Sequence, residues 1–189
     1  EVDLSEEIIP SHTMEDFGRE VLGKKDAVVR VVERMGHNGD DGYGAIAREI
    51  EQQLRYTGIK TTDYIFLPVG EGELMYKVAS GLSRNEKRPK VIGTTVESNV
   101  FNPKYAVDFI PDIGTSFADK LPTGYSDFKE LLTALCKKYG HEIFVADDND
   151  IRKEFGVIEN IKINSEPTAA AAFAGARKYS LERGFNADD

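Results

Sequence analysis

The segment that most restricts the fold is Asp63-Tyr64-Ile65-Phe66-Leu67-Pro68-Val69-Gly70-Glu71-Gly72, with a helical pattern directly behind it. Tyr64 to Leu67 is an unbroken apolar run bounded by Asp63 and Pro68, which predicts a strand buried on both faces. Gly70-Glu71-Gly72 ends that strand and opens a helix carrying Leu74, Val78 and Leu82. Lys90-Val91-Ile92-Gly93 then reads as a second strand, reached by a helical crossover suited to parallel pairing. A glycine loop between a buried strand and a helix N-terminus presents backbone N–H groups to an anion. Glycine there permits both the tight turn and the close approach.

The remaining chain repeats the alternation. Apolar positions 28, 31, 32 and 35 predict a helix over about 26–35 with Asp26 as N-cap, followed by a breaker-rich loop from Gly36 to Gly42. Ile46, Ile50 and Leu54 form one stripe of a helix from Tyr43 to about Tyr56. The stretch from Glu97 to Tyr125 is irregular, and a loop of that length inside a compact domain is often functional. A helix through Phe128, Leu131, Leu132 and Leu135 follows, then a strand at Glu142–Val145 and a short helix beginning near Asp148. Ile161–Asn164 reads as a further strand, ahead of an alanine-rich helix from about Thr168 to Arg183. The expected fold is α/β, three-layer, with a mostly parallel sheet flanked by helices. Residues 1–41 form an acidic N-terminal segment plus a helix, and residues 42–189 the α/β domain.

Charge and single residues narrow the function. A formal net charge of -9 argues against non-specific nucleic-acid binding. No apolar run is long enough to span a membrane and no signal peptide is visible, so a cytoplasmic setting is expected. The acidic start at Glu1, without an initiator Met, reads as a cleaved or trimmed end. Cys136 is the only cysteine; sharing a stripe with Leu132 and Leu135, it reads as inert packing. His37 with Asp40 and Asp41 reads as a solvated turn, and Asp147-Asp148-Asn149-Asp150 as helix capping. No metal site is expected, and His12 and His141 are expected at the surface.

Four segments, in order, resemble the large domain of fold-type II pyridoxal-phosphate enzymes, of the threonine synthase and threonine/serine dehydratase kind. They are Gly42–Ile50, Asp63–Gly72, Lys90–Glu97 and Asn164-Ser165-Glu166-Pro167-Thr168-Ala169-Ala170. The resemblance covers roughly residues 42 to 180. It implies pyridoxal phosphate as cofactor, with its phosphate held at Gly70 and Gly72 and Glu166 close to the pocket. It further implies β-elimination or β/γ-replacement on a small amino acid. Lys25, before Asp26, is similar to the family's cofactor-binding lysine segment. Glu97 corresponds to a residue that can help hold a cation in dehydratase-like relatives; the plainer alternative is that Glu97 and Glu166 cap backbone at strand ends.

Two departures accompany the resemblance. Glu71 and Glu73 stand where the family carries neutral residues, and carboxylates beside a phosphate repel it unless they point away. The chain also stops before the strand that contacts the pyridine nitrogen. It is therefore expected to be part of, or a degenerate relative of, an amino-acid lyase or synthase, inactive alone and open to a partner chain or a second copy. The alternative is a non-catalytic ligand-sensing or partner-binding module on the same fold.

Overall fold

The computed structural model describes residues 42–58, 62–82, 88–105, 109–111 and 113–185. Strands β1 (Tyr64–Pro68), β2 (Lys90–Val96) and β3 (Glu142–Ala146) form a parallel sheet in the order β1-β2-β3. The helices are α1 (Gly42–Tyr56), α2 (Glu73–Leu82), α3 (Lys129–Tyr139), α4 (Asp148–Asn160) and α5 (Pro167–Arg183). Side chains alternate across a strand, and β2 shows which helix covers which face. Gly93 faces Met75 of α2, while the adjacent Thr94 faces Gly175 of α5. The sheet is thus sandwiched between α2 and α5, with α1 and α3 packed on α2 and α4 packed on α5. This is the three-layer α/β fold expected from the sequence.

Two apolar clusters fill the layers. One gathers Ile46, Leu67, Met75, Val78, Val91 and Leu132 on the α2 side. The other gathers Val96, Ala146, Ile151, Ile158, Phe173 and Ala174 on the α5 side. Helix α5 begins at Pro167 in the first turn, where a missing N–H costs nothing. Ala170, Ala171, Ala172 and Ala174 are all buried, and their small side chains let the helix axis approach the sheet. Helix α4 is locked to α5 by Glu154, only 1% exposed, whose two carboxylate oxygens accept from Nε and Nη2 of Arg177. Asp147 caps α4 by accepting the N–H groups of Asn149 and Asp150, the capping expected of that acidic run.

Several expectations need correction. β1 is not buried on both faces: it lies at the edge of the sheet formed by the described residues, and Tyr64, Ile65 and Phe66 are only half-buried. Its aromatic side chains pack instead against Tyr179 and Phe185, with Tyr64–Phe185 ring centroids 5.2 Å apart. The strand buried along nearly its whole length is the central one, β2. Ile161–Asn164 is not a strand. Lys162 takes a left-handed conformation (φ 62°), and Lys162 and Ile163 donate to the carbonyls of Glu159 and Ile158, closing the end of α4. The alternating Ile161 and Ile163 fold under that turn and pack into the core. Helix α4 is longer than expected, at 13 residues. The helix expected over 26–35, with His12 and His37, lies outside the described residues. Among the described residues no helix is long and apolar enough to cross a membrane.

His141, expected at the surface, is 6% exposed. Its Nδ1 accepts the Val91 N–H at 3.2 Å, joining the start of β3 to β2. Burial first, and the nearby Lys90 ammonium second, hold its pKa below the ordinary imidazole value. The folded state therefore keeps His141 neutral, while the unfolded chain takes up the proton near pH ~6.5. Its contribution to stability is complete above that pH and is lost as pH falls towards the lower folded pKa, at a slope of at most ~1.4 kcal/mol per pH unit. The stability difference between the unsubstituted chain and His141→Gln, followed by urea denaturation, should narrow on acidification from about pH 7 to about pH 5. A constant difference would contradict the assignment.

A second outcome follows from α5. A Cβ at Gly175 would collide with Thr94 Oγ1 and lie 2.9 Å from Thr94 Cβ. Rotating the threonine cannot relieve the second contact. Gly175→Ala should lower stability by about 3 kcal/mol, read as a lower urea midpoint at unchanged slope.

Candidate functional site

In open parallel sheets, ligands gather at the carboxyl ends of the strands, and here the polar side chains do the same. Past the end of β1 the ladder persists for one more bond, from Val69 N–H to the Thr94 carbonyl. The chain then enters Gly70-Glu71-Gly72 and starts α2 at Glu73. The next carbonyls are all engaged by side chains. Val69 O accepts from Thr95 Oγ1 at 2.8 Å, Gly70 O from Asn99 Nδ2 at 3.1 Å, and Glu71 O from Ser126 Oγ. The N–H groups are arranged differently. Among the described residues those of Gly70, Glu71, Gly72, Glu73, Leu74 and Met75 find no acceptor. A loop whose carbonyls are tied and whose N–H groups are open at a helix N-terminus has the electrostatics to hold an anion.

Both glycines are sterically required. Gly72 has φ 86°, and a Cβ there would lie 2.7 Å from the Phe101 ring and 3.0 Å from Leu132. A Cβ at Gly70 would lie 2.8 Å from the Lys120 carbonyl oxygen. Glu71 is exposed, so its carboxylate is turned to solvent; Glu73 is half-buried in the first turn of α2, where an acid also favours the helix dipole.

The irregular stretch expected to carry function runs across the ends of all three strands. At the β3 end, Asp148 accepts Ser116 Oγ and the Phe117 N–H, at 2.6 Å and 2.8 Å. At the β2 end, the Leu121 carbonyl accepts from Asn99 Nδ2, and the Val100 N–H donates to the Thr123 carbonyl. At the β1 end, Ser126 reaches Glu71. Lys120 sits in the middle: its carbonyl backs Gly70, and its Nζ lies 2.5 Å from Glu166 Oε2 at the start of α5. Glu166 makes no side-chain cap on α5. Glu97 likewise turns to Lys104 Nζ and to Asn102 Nδ2. The plainer capping role proposed for both carboxylates is therefore replaced by ion pairs.

The structure thus brings Gly70, Gly72 and, through Lys120, Glu166 into one region. Lys25 lies outside the described residues. The sequence pattern does not single out Thr95, Asn99, Ser126 or Lys120. The available signal was the placement of Thr95 and Asn99 around the end of an otherwise apolar strand. Among the described residues no group of three or more His, Cys, Asp or Glu gathers to hold a metal. A separate open groove of ≈ 650 Å³ lies between the 100–105 turn and α3, lined by Phe101, Tyr105, Cys136 and Ile143 among others. Burial pushes the Cys136 thiol up to about 11, so it stays protonated and unreactive at neutral pH.

The sequence matches the model of the family described as pyridoxal-phosphate dependent enzyme over residues 16–189. The chain belongs to the pyridoxal-phosphate dependent enzyme family. A threonine deaminase from T.th. superposes with a TM-score of 0.60 at 18% identity, covering 76% of this chain and 48% of that one. A fungal L-serine ammonia-lyase from Rhizomucor miehei gives 0.59 at 21%, covering 75% and 45%. Maize serine racemase gives 0.61 at 20%, covering 74% and 43%. At these identities the likeness is one of fold. The chain spans a little under half the length of these solved relatives. A search of curated proteins finds no significant match.

Gly72→Ala tests the loop's packing. Positive φ and the Phe101 contact together should cost about 2–4 kcal/mol of stability, measured by chemical denaturation. An unchanged midpoint would mean that the loop is not held as described.

Proposed function

We propose that this chain supplies the phosphate-holding portion of a pyridoxal-phosphate dependent lyase or synthase acting on a small amino acid. The observation that carries the reading is the loop after β1, with its carbonyls engaged behind and six successive N–H groups that find no acceptor among the described residues. The family's cofactor is pyridoxal phosphate. The donor set fits the phosphate end of that cofactor: backbone N–H groups at a helix N-terminus, on a loop that the contacts of residue 72 with Phe101 and Leu132 restrict to glycine. Gly70 and Gly72 would hold the phosphate, and the exposed Glu71 carboxylate is free to swing into solvent.

When bound, the cofactor supplies an electron sink for reactions at the amino-acid α-carbon. The chain's own residues bind and orient. The loop N–H groups fix the phosphate. Glu166, paired with Lys120, sets the local charge beside the loop. In this reading Lys25 would be the lysine that holds the cofactor, on the strength of its resemblance to the family's lysine segment. Elimination is favoured over replacement because the relatives named above include a deaminase and an ammonia-lyase. The substrate would be a small amino acid, in a cytoplasmic protein completed by a partner chain or a second copy.

A non-catalytic ligand-sensing role on the same fold is the second reading, favoured by the carboxylates of Glu71 and Glu73 beside the loop. Incubation with pyridoxal phosphate, borohydride reduction and peptide mapping separates the two. A visible absorption band trapped on one lysine, with Lys25 expected, supports the enzyme reading. Labelling scattered over surface lysines, or no band, contradicts it.

A further inference from the structure

Asn99 is fully buried, yet it is a polar residue just past the end of β2, and both polar atoms of its side chain are used. Its Oδ1 accepts the Phe101 N–H at 2.7 Å. Its Nδ2 bridges the carbonyls of Val69, Gly70 and Leu121. Burying an amide side chain is costly unless such bonds are made, and a carbonyl left behind without one would carry that cost itself. Thr95 is also fully buried, and Ser126 is 8% exposed. These two take the carbonyls on either side of the Asn99 contact, at Val69 and Glu71. Three side chains from two separate segments therefore hold three successive carbonyls of one loop.

A peptide plane held at its carbonyl has its N–H direction fixed as well, because the two point oppositely across a planar unit. We infer that Thr95, Asn99 and Ser126 are positioning residues that pre-orient the N–H groups of Gly70, Glu71 and Gly72 towards a phosphate monoester. This inference rests on the proposed anion-holding role of the loop and adds how that loop is kept ready. None of the three side chains need touch the ligand. Without them the peptides can rotate, and the cost of reordering them falls on binding. Because Asn99 and Ser126 also anchor the stretch that contains Lys120, the same bonds hold Lys120 and Glu166 in register with the loop.

The distinguishing property is selectivity for the phosphate, which general loss of stability does not alter. The test compares dissociation constants of the full chain for pyridoxal phosphate and for pyridoxal, which lacks the phosphate. The variants are Asn99→Ala, Ser126→Ala and Thr95→Val, with folding checked by circular dichroism. Asn99→Ala should weaken pyridoxal phosphate about tenfold or more, and each single-tether variant about threefold, with pyridoxal changed less than about twofold. If Asn99→Ala does not fold, the two milder variants decide. Equal effects on both ligands, or no effect in folded variants, overturn the inference. If the unsubstituted chain itself fails to prefer pyridoxal phosphate, the anion-holding role falls and the inference with it. That failure appears before any substitution is made, so the two are separable.

Discussion

A parallel strand that ends in the interior leaves carbonyls which must find donors, since an unpaired buried peptide group costs about as much as a lost hydrogen bond. At the end of β1 this chain meets that demand with side chains rather than with more backbone. Thr95, Asn99 and Ser126 satisfy Val69, Gly70 and Glu71 in turn. The consequence is directional. Once the carbonyls are held inward, the N–H groups of the following residues find no acceptor among the described residues, and those of the first turn of α2 directly behind them find none there either. Asn99, which also donates to the Leu121 carbonyl, and Ser126 fasten the long irregular stretch across the strand ends as well. One solution to a buried-carbonyl problem thus shapes both the loop and its surroundings.

Much of the fold was legible because hydrophobic period and breakers agreed. The stripe at Ile46, Ile50 and Leu54 marked α1, and the glycines at 70 and 72 marked the β1–α2 junction. Local pattern failed where tertiary placement decided the outcome. Tyr64 to Phe66 read as doubly buried, yet β1 lies at the edge of the described sheet and its aromatic rings are covered by Tyr179 and Phe185. Ile161 and Ile163 alternate like a strand, yet Lys162 turns the chain between them to close α4. His141 looked like any polar residue, because nothing in sequence reveals that Val91 donates to it from 50 residues away.

The site shows the same division. Gly70 and Gly72 were visible because glycine has few uses between a strand and a helix. Their supports were not, because Thr, Asn and Ser read as loop residues until folding buries them. Glu71 and Glu73 counted against an anion in the sequence. In three dimensions Glu71 is exposed, and Glu73 lies in the first turn of a helix that favours acids. Glu166 gained rather than lost context, since its partner Lys120 also backs Gly70.

The central claim is that the open N–H groups after β1 are where a phosphate binds. Its most direct test is a ¹⁵N–¹H titration of the unsubstituted chain with inorganic phosphate. Saturable shifts centred on Gly70 through Met75 are the predicted result. Shifts confined to the groove lined by Phe101, Tyr105 and Cys136, with the loop amides unmoved, would contradict it.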